Sequence, residues 1–111
     1  MKPQLLIGAA TSGSGKTTFT MGLLRALHKR GLRVQPFKCG PDYIDTQFHT
    51  LAADHESVNL DTWMASNTHV QHLYNKYGDG ADVCVTEGVT GLCDGYQRMQ
   101  GSSAEMARLL N

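Results

Sequence analysis

The sequence predicts an α/β fold, a parallel sheet with flanking helices, and three observations predict it. A short apolar run, Leu5, Leu6 and Ile7, passes into a Gly/Ser-rich turn and then into an amphipathic helical stretch. Strand-like and helix-like patterns then alternate along the chain, which implies right-handed crossovers between parallel strands. The composition, 41% hydrophobic and 18% charged in 111 residues, is that of an ordinary globular chain with room for one domain.

Each element has its own signature. Leu5, Leu6 and Ile7 are a continuous apolar run of the kind found in a strand buried on both faces. Phe19, Leu23, Leu24 and Leu27 recur at helical spacing, and Lys29, Arg30 and Gly31 supply C-terminal charge and a stop. Residues 33–37 form a second strand pattern, and residues 38–45, crowded with Gly, Pro and Asp, predict a loop. Helical spacing returns through Trp63, Val70, Leu73, Tyr74 and Tyr77 and ends at Gly78, Asp79 and Gly80. A third strand is expected over residues 82–86, with Val83, Cys84 and Val85 as its core, followed by a loop over 87–101. Ser102 with Glu105 matches a capping box that opens a last helix, whose inner face Met106, Leu109 and Leu110 would line. So small a parallel sheet buries little surface, and the alternation is interrupted at Asn111. The expectation is therefore an incomplete sheet whose unpaired edge leaves room for a homodimer.

The densest chemistry lies in Ala10-Thr11-Ser12-Gly13-Ser14-Gly15-Lys16-Thr17. It matches the phosphate-binding loop pattern G-x-x-x-x-G-K-[ST], with Ala10 at the first glycine, and it sits where a strand hands over to a helix. Gly13 and Gly15 let backbone N–H groups around Ser12, Ser14 and Thr18 turn toward phosphate oxygens at the positive end of the helix. Lys16 has the reach for the β and γ phosphates, and the Thr17 hydroxyl suits Mg²⁺. The expected cofactors are ATP and Mg²⁺, on a P-loop NTPase-type sheet.

A nucleotide site also needs carboxylates. Glu87, directly after the third predicted strand, stands where the loops of an open α/β sheet converge on ligand, and it suits Mg²⁺ directly or through water. Lys38, Asp42 and Asp45 fall in one predicted loop, and Asp94 in another, between Cys93 and Gly95. Acids near a transferring phosphoryl group need a metal or a proton beside them, although Asp is also ordinary turn chemistry. His28, His49, His55, His69 and His72 show no metal-ligand spacing.

Taken together, the segments SGSGKTT from Ser12, KCGPDYID from Lys38, NLDTWM from Asn59, EGVTGLCDG from Glu87 and GSSAEMARLL from Gly101 resemble the N-terminal domain of the cobyrinic acid a,c-diamide synthase family, nearly end to end. The resemblance implies an ATP-dependent amidoligase that phosphorylates side-chain carboxylates of a corrinoid tetrapyrrole. Ammonia from glutamine then displaces phosphate from the acyl phosphate, in cobalamin biosynthesis. It also implies that Asp42, Asp45, Asp94 and Lys38 lie near the reacting carboxylate and that Thr17 and Glu87 hold Mg²⁺. Family members are several times longer than this chain. They carry a C-terminal glutamine amidotransferase domain that residues 1–111 lack, so this chain alone is expected to be inactive in amidation. Thr46 stands where the family has Pro, and Thr90 where it has Met. Dethiobiotin synthetase, another P-loop ligase, and a non-catalytic nucleotide-binding fragment are the alternative readings.

Ten Lys+Arg balance ten Asp+Glu, so no broad attraction to nucleic acid or to an acidic membrane is expected. The three cysteines, Cys39, Cys84 and Cys93, show no C-x-x-C spacing, which fits a reducing cytoplasm. The apolar stretch from Leu5 to Ala10 is too short for a signal peptide or a membrane span.

Overall fold

A computed structural model describes residues 3–8, 15–40, 43–60, 66–88, 108 and 110. Its elements are β1 (Gln4–Ile7), α1 (Lys16–Lys29), β2 (Val34–Cys39), α2 (Tyr43–Ala53), β3 (Val58–Leu60), α3 (Asn67–Gly78) and β4 (Val83–Glu87). The four strands form one parallel sheet in the order β1-β4-β2-β3. Two hydrophobic clusters show that the sheet is covered on both faces, as expected. Leu24, Val34, Ala52, Ala53, Val83 and Val85 fill the side under α1 and α2, while Phe37, Cys39, Leu60, Val70, Tyr74 and Cys84 fill the side under α3.

β1 departs from the expectation of a strand buried on both faces: Leu5 is 49% exposed. Among the described strands β1 is an edge, paired only with β4, so Leu6 and Ile7 each reach one cluster while staying half-buried. β2 and β4, the central strands, are buried along their whole length.

α1 begins at Gly15, whose φ of 82° is a left-handed conformation that a side chain would resist. It ends in a Schellman motif: Gly31 N–H donates to the His28 carbonyl at 2.9 Å and Leu32 N–H to the Leu27 carbonyl at 3.4 Å. The φ of 85° at Gly31 is the reason the predicted stop falls there.

α3 starts at Ser66, whose hydroxyl accepts from His69 N–H at 3.1 Å. Val70 and Tyr74, one helical turn apart, turn inward, and the Tyr74 ring lies 4.7 Å from that of Phe37. The Tyr74 hydroxyl donates to Gln4, which ties α3 to β1. Trp63, expected in this helical stretch, lies outside the described residues, as do Ser102, Glu105, Met106 and Leu109. Arg108 and Leu110 are helical, and Leu110 packs against the α3-side cluster.

α2 and β3 were not expected. The inward residues of α2 are Thr46, His49, Ala52 and Ala53, two polar and two small, whereas Ile44, Phe48 and Leu51 point outward at 69%, 44% and 75% exposure. A helix that turns its large apolar residues to solvent lacks the usual signal of a core-facing stripe. β3 has only three residues, too short for an alternation pattern.

Candidate functional site

Parallel register brings the site together. Ile7 and Lys38 flank Glu87 on neighbouring strands, so the C-terminal ends of β1, β4 and β2 lie side by side. This end of an open α/β sheet is where ligands bind. Glu87 is the last residue of β4 rather than the first of a loop, and Lys38 belongs to β2 rather than to the loop after it. Asp45 lies within α2 and not in a loop, because the helix begins at Tyr43, directly after Asp42. The side chain of Asp45 lies outside the described structure, as do Asp42 and Asp94 and, of the predicted phosphate loop, Ser12, Gly13 and Ser14. Gly15, Lys16, Thr17 and Thr18 are described. They form the N-terminal end of α1, with Lys16 and Thr17 half-buried and Thr18 exposed.

At the centre lies the Glu87 carboxylate, with no solvent exposure. Its Oε2 accepts from Thr17 Oγ1 at 2.9 Å and from Lys38 Nζ at 2.7 Å, and its Oε1 is 2.8 Å from His49 Nε2. Lys38 Nζ also donates to the Gly88 carbonyl at 3.1 Å. Four elements, α1, β2, α2 and β4, thus each send one side chain to one point. Burial alone would raise the Glu87 pKa, but hydrogen bonds from His49 and Lys38, the Lys38 charge and the Thr17 hydroxyl outweigh it. The carboxyl is held down at about 2 against an ordinary 4.5. It is therefore a carboxylate at every physiological pH.

His49 is the member of this cluster that sequence reasoning missed. No spacing signal marks it, since its partner lies 38 positions away and only α2 brings the two together. The inward polar stripe of α2, Thr46 and His49, was the available clue once a helix is drawn there.

Thr17 and Glu87 offer Mg²⁺ a hydroxyl and a carboxylate oxygen side by side. This is a fitting donor set for a hard cation that keeps several waters and takes its other ligands from phosphates. Among the described residues no group of three or more His, Cys, Asp or Glu could hold a metal unaided. Beside the cluster, burial pushes the Cys39 thiol up to about 12 despite the pull of Lys38 and Lys16, so Cys39 is a packing residue rather than a nucleophile. Cys84 is likewise buried, and Cys93 lies outside the described residues. No described helix is long and apolar enough to cross a membrane.

Comparison with known proteins identifies the family. Residues 5–111 match the family model of the CobQ/CobB/MinD/ParA nucleotide binding domain. The chain is 51% identical over 108 residues to a cobyrinate a,c-diamide synthase of Picrophilus torridus, an alignment that covers 96% of this chain and 24% of that protein. It is 53% identical over 93 residues to the cobyrinate a,c-diamide synthase of a Listeria monocytogenes strain, covering 83% of this chain and 21% of the relative. With a hydrogenobyrinate a,c-diamide synthase of Rhodobacter capsulatus it shares 52% identity over 109 residues, 95% of this chain and 25% of the other. The chain thus spans about a quarter of the length of these relatives. With an α/β sheet of the P-loop NTPase type and a match over nearly its whole length, this chain belongs to the CobQ/CobB/MinD/ParA nucleotide binding domain family.

Proposed function

We propose that this chain is the ATP-binding part of an amidoligase that converts carboxylates of a corrinoid-type tetrapyrrole, cobyrinate or hydrogenobyrinate, to amides. The observation that carries the reading is the convergence of Thr17, Lys38 and Glu87 beside the N-terminus of α1. Relatives about half identical to it are named for cobyrinate and hydrogenobyrinate a,c-diamide synthesis.

In this scheme the helix N-terminus, the amides of residues 12–15 and Lys16 bind the triphosphate, and Thr17 and Glu87 hold Mg²⁺. Bound Mg²⁺ neutralises charge that develops on the transferred phosphoryl group. A substrate carboxylate oxygen attacks the γ phosphorus, the bond to the β-phosphate oxygen breaks, and ADP leaves. Ammonia supplied from glutamine then adds to the acyl carbon and loses a proton, and the C–O bond to phosphate breaks. The first step turns a poor electrophile into one with a good leaving group. Lys38, already seated on Glu87, offsets negative charge where two anions must approach one another. Asp42, Asp45 and Asp94 position the substrate, organise metal and take up protons.

The test supplies ATP, Mg²⁺, glutamine or ammonium, and cobyrinate or hydrogenobyrinate to the protein that carries this chain. ADP is expected in step with amide, and only when the tetrapyrrole acid is present. ADP release indifferent to the tetrapyrrole would contradict the assignment.

A further inference from the structure

His49 has no solvent exposure, and its Nε2 lies 2.8 Å from Glu87 Oε1. An ionised carboxylate only accepts, so the proton of this hydrogen bond sits on Nε2. The other ring nitrogen, Nδ1, is buried without a hydrogen-bond partner among the described residues. An unpaired buried polar atom costs about 1–3 kcal/mol. If this place on α2 served packing alone, a leucine would fill it without that cost. The benefit of the imidazole must therefore lie in its one hydrogen bond, which it gives to Glu87.

The two oxygens of Glu87 are used differently. Oε2 faces Thr17 and Lys38, on the side of the phosphate-binding helix, while Oε1 is held by His49 from α2. The last torsion of a glutamate is soft, so without a partner on Oε1 the carboxylate can turn about its Cγ–Cδ bond. We propose that His49 is a positioning residue: it pins Oε1 so that Oε2 stays turned toward the Thr17 hydroxyl, ready for the metal of the incoming nucleotide. The inference rests on the reading of Glu87 as a Mg²⁺ ligand. Groups that orient a metal-binding side chain in this way are typically worth about 10–100-fold in metal affinity.

Three variants of the full chain test it: His49→Leu, which removes the donor; His49→Asn, whose amide falls short of the Nε2 position; and His49→Gln, whose amide nitrogen reaches it. Calorimetry measures ATP affinity across a Mg²⁺ titration and again in excess chelator. The Leu and Asn variants are expected to need about 10–100-fold more Mg²⁺. Gln restores the requirement to within about threefold, and affinity in chelator is the same for all. Equal Mg²⁺ requirements in wild type and Asn variant, a Gln variant no better than Asn, or a parallel loss of affinity in chelator would each overturn the proposal. Should the Leu variant not fold, the Asn and Gln pair decides alone. Wild type that binds ATP without regard to Mg²⁺ would instead overturn the underlying reading of Glu87, and that outcome is visible before any variant is made.

Discussion

Replacing Glu87 with Ala is expected to destabilise the fold by about 3–5 kcal/mol, the range for removing one partner of a buried ion pair. The loss arises because Lys38, only 4% exposed, would lose the Glu87 carboxylate that its charge is seated on, and His49 and Thr17 would lose their acceptor as well. Denaturant melts of wild type and variant measure it. Replacing both charges together, as Lys38→Met with Glu87→Leu, should recover part of that loss, because packed apolar side chains stand in for a buried ion pair without the desolvation cost, while the buried His49 N–H left without its acceptor keeps stability below wild type. The double variant should nevertheless bind ATP without any response to Mg²⁺. Such a split between partly recovered stability and lost metal response is what a pair retained for function predicts.

The same carboxylate sets an acid limit. The Glu87 pKa is lowered in the folded chain to about 2 from 4.5, so its contribution is complete above about 4.5 and is lost as pH falls toward 2. The full contribution is on the order of 3 kcal/mol by linkage. The stability gap between wild type and Glu87→Gln should therefore narrow as pH falls through that window and stay constant from pH 5 to 7. A gap that widens on acidification would contradict the ionised, triply bonded carboxylate.

Lys16→Ala is expected to weaken ATP binding by about 30–100-fold, the equivalent of roughly 2–3 kcal/mol for charged hydrogen bonds to phosphate. Lys16 is half-buried and opens α1, so the fold should lose less than about 1 kcal/mol by the same replacement. A nucleotide series separates the two effects in one calorimetric experiment. Wild type should gain affinity from AMP to ADP to ATP, the variant should flatten that gain, and adenosine should bind both equally weakly. Equal loss for adenosine and ATP would mean a distorted fold rather than a missing phosphate contact.

Much of this was legible in the residues. The alternation of patterns gave a parallel sheet covered on both faces, and Gly31 marked the end of α1 because its backbone there is left-handed. The lysine and threonine of the G-K-T motif and the carboxylate at a strand end were visible as local signals. The strand order was not. That β4 lies between β1 and β2 follows from crossovers that no local pattern encodes, and this insertion is what sets Lys38 and Glu87 opposite one another. α2 escaped notice for a related reason. Its inner face carries the polar Thr46 and His49 and two alanines, while Ile44, Phe48 and Leu51 face outward, the inverse of the usual pattern. No local signal therefore sets His49 apart from the other histidines, although it holds one oxygen of the central carboxylate.

A crystal structure of the chain with a non-hydrolysable ATP analogue and Mn²⁺ tests the central claim most directly, since the anomalous signal of manganese locates the metal without assumptions. The account predicts a metal at roughly 2.1–2.2 Å from the Thr17 hydroxyl, with Glu87 bound to it directly or through one water, and the triphosphate laid against Lys16 and the start of α1. A nucleotide bound there with its metal remote from both Thr17 and Glu87, or a triphosphate seated elsewhere on the sheet, would contradict it.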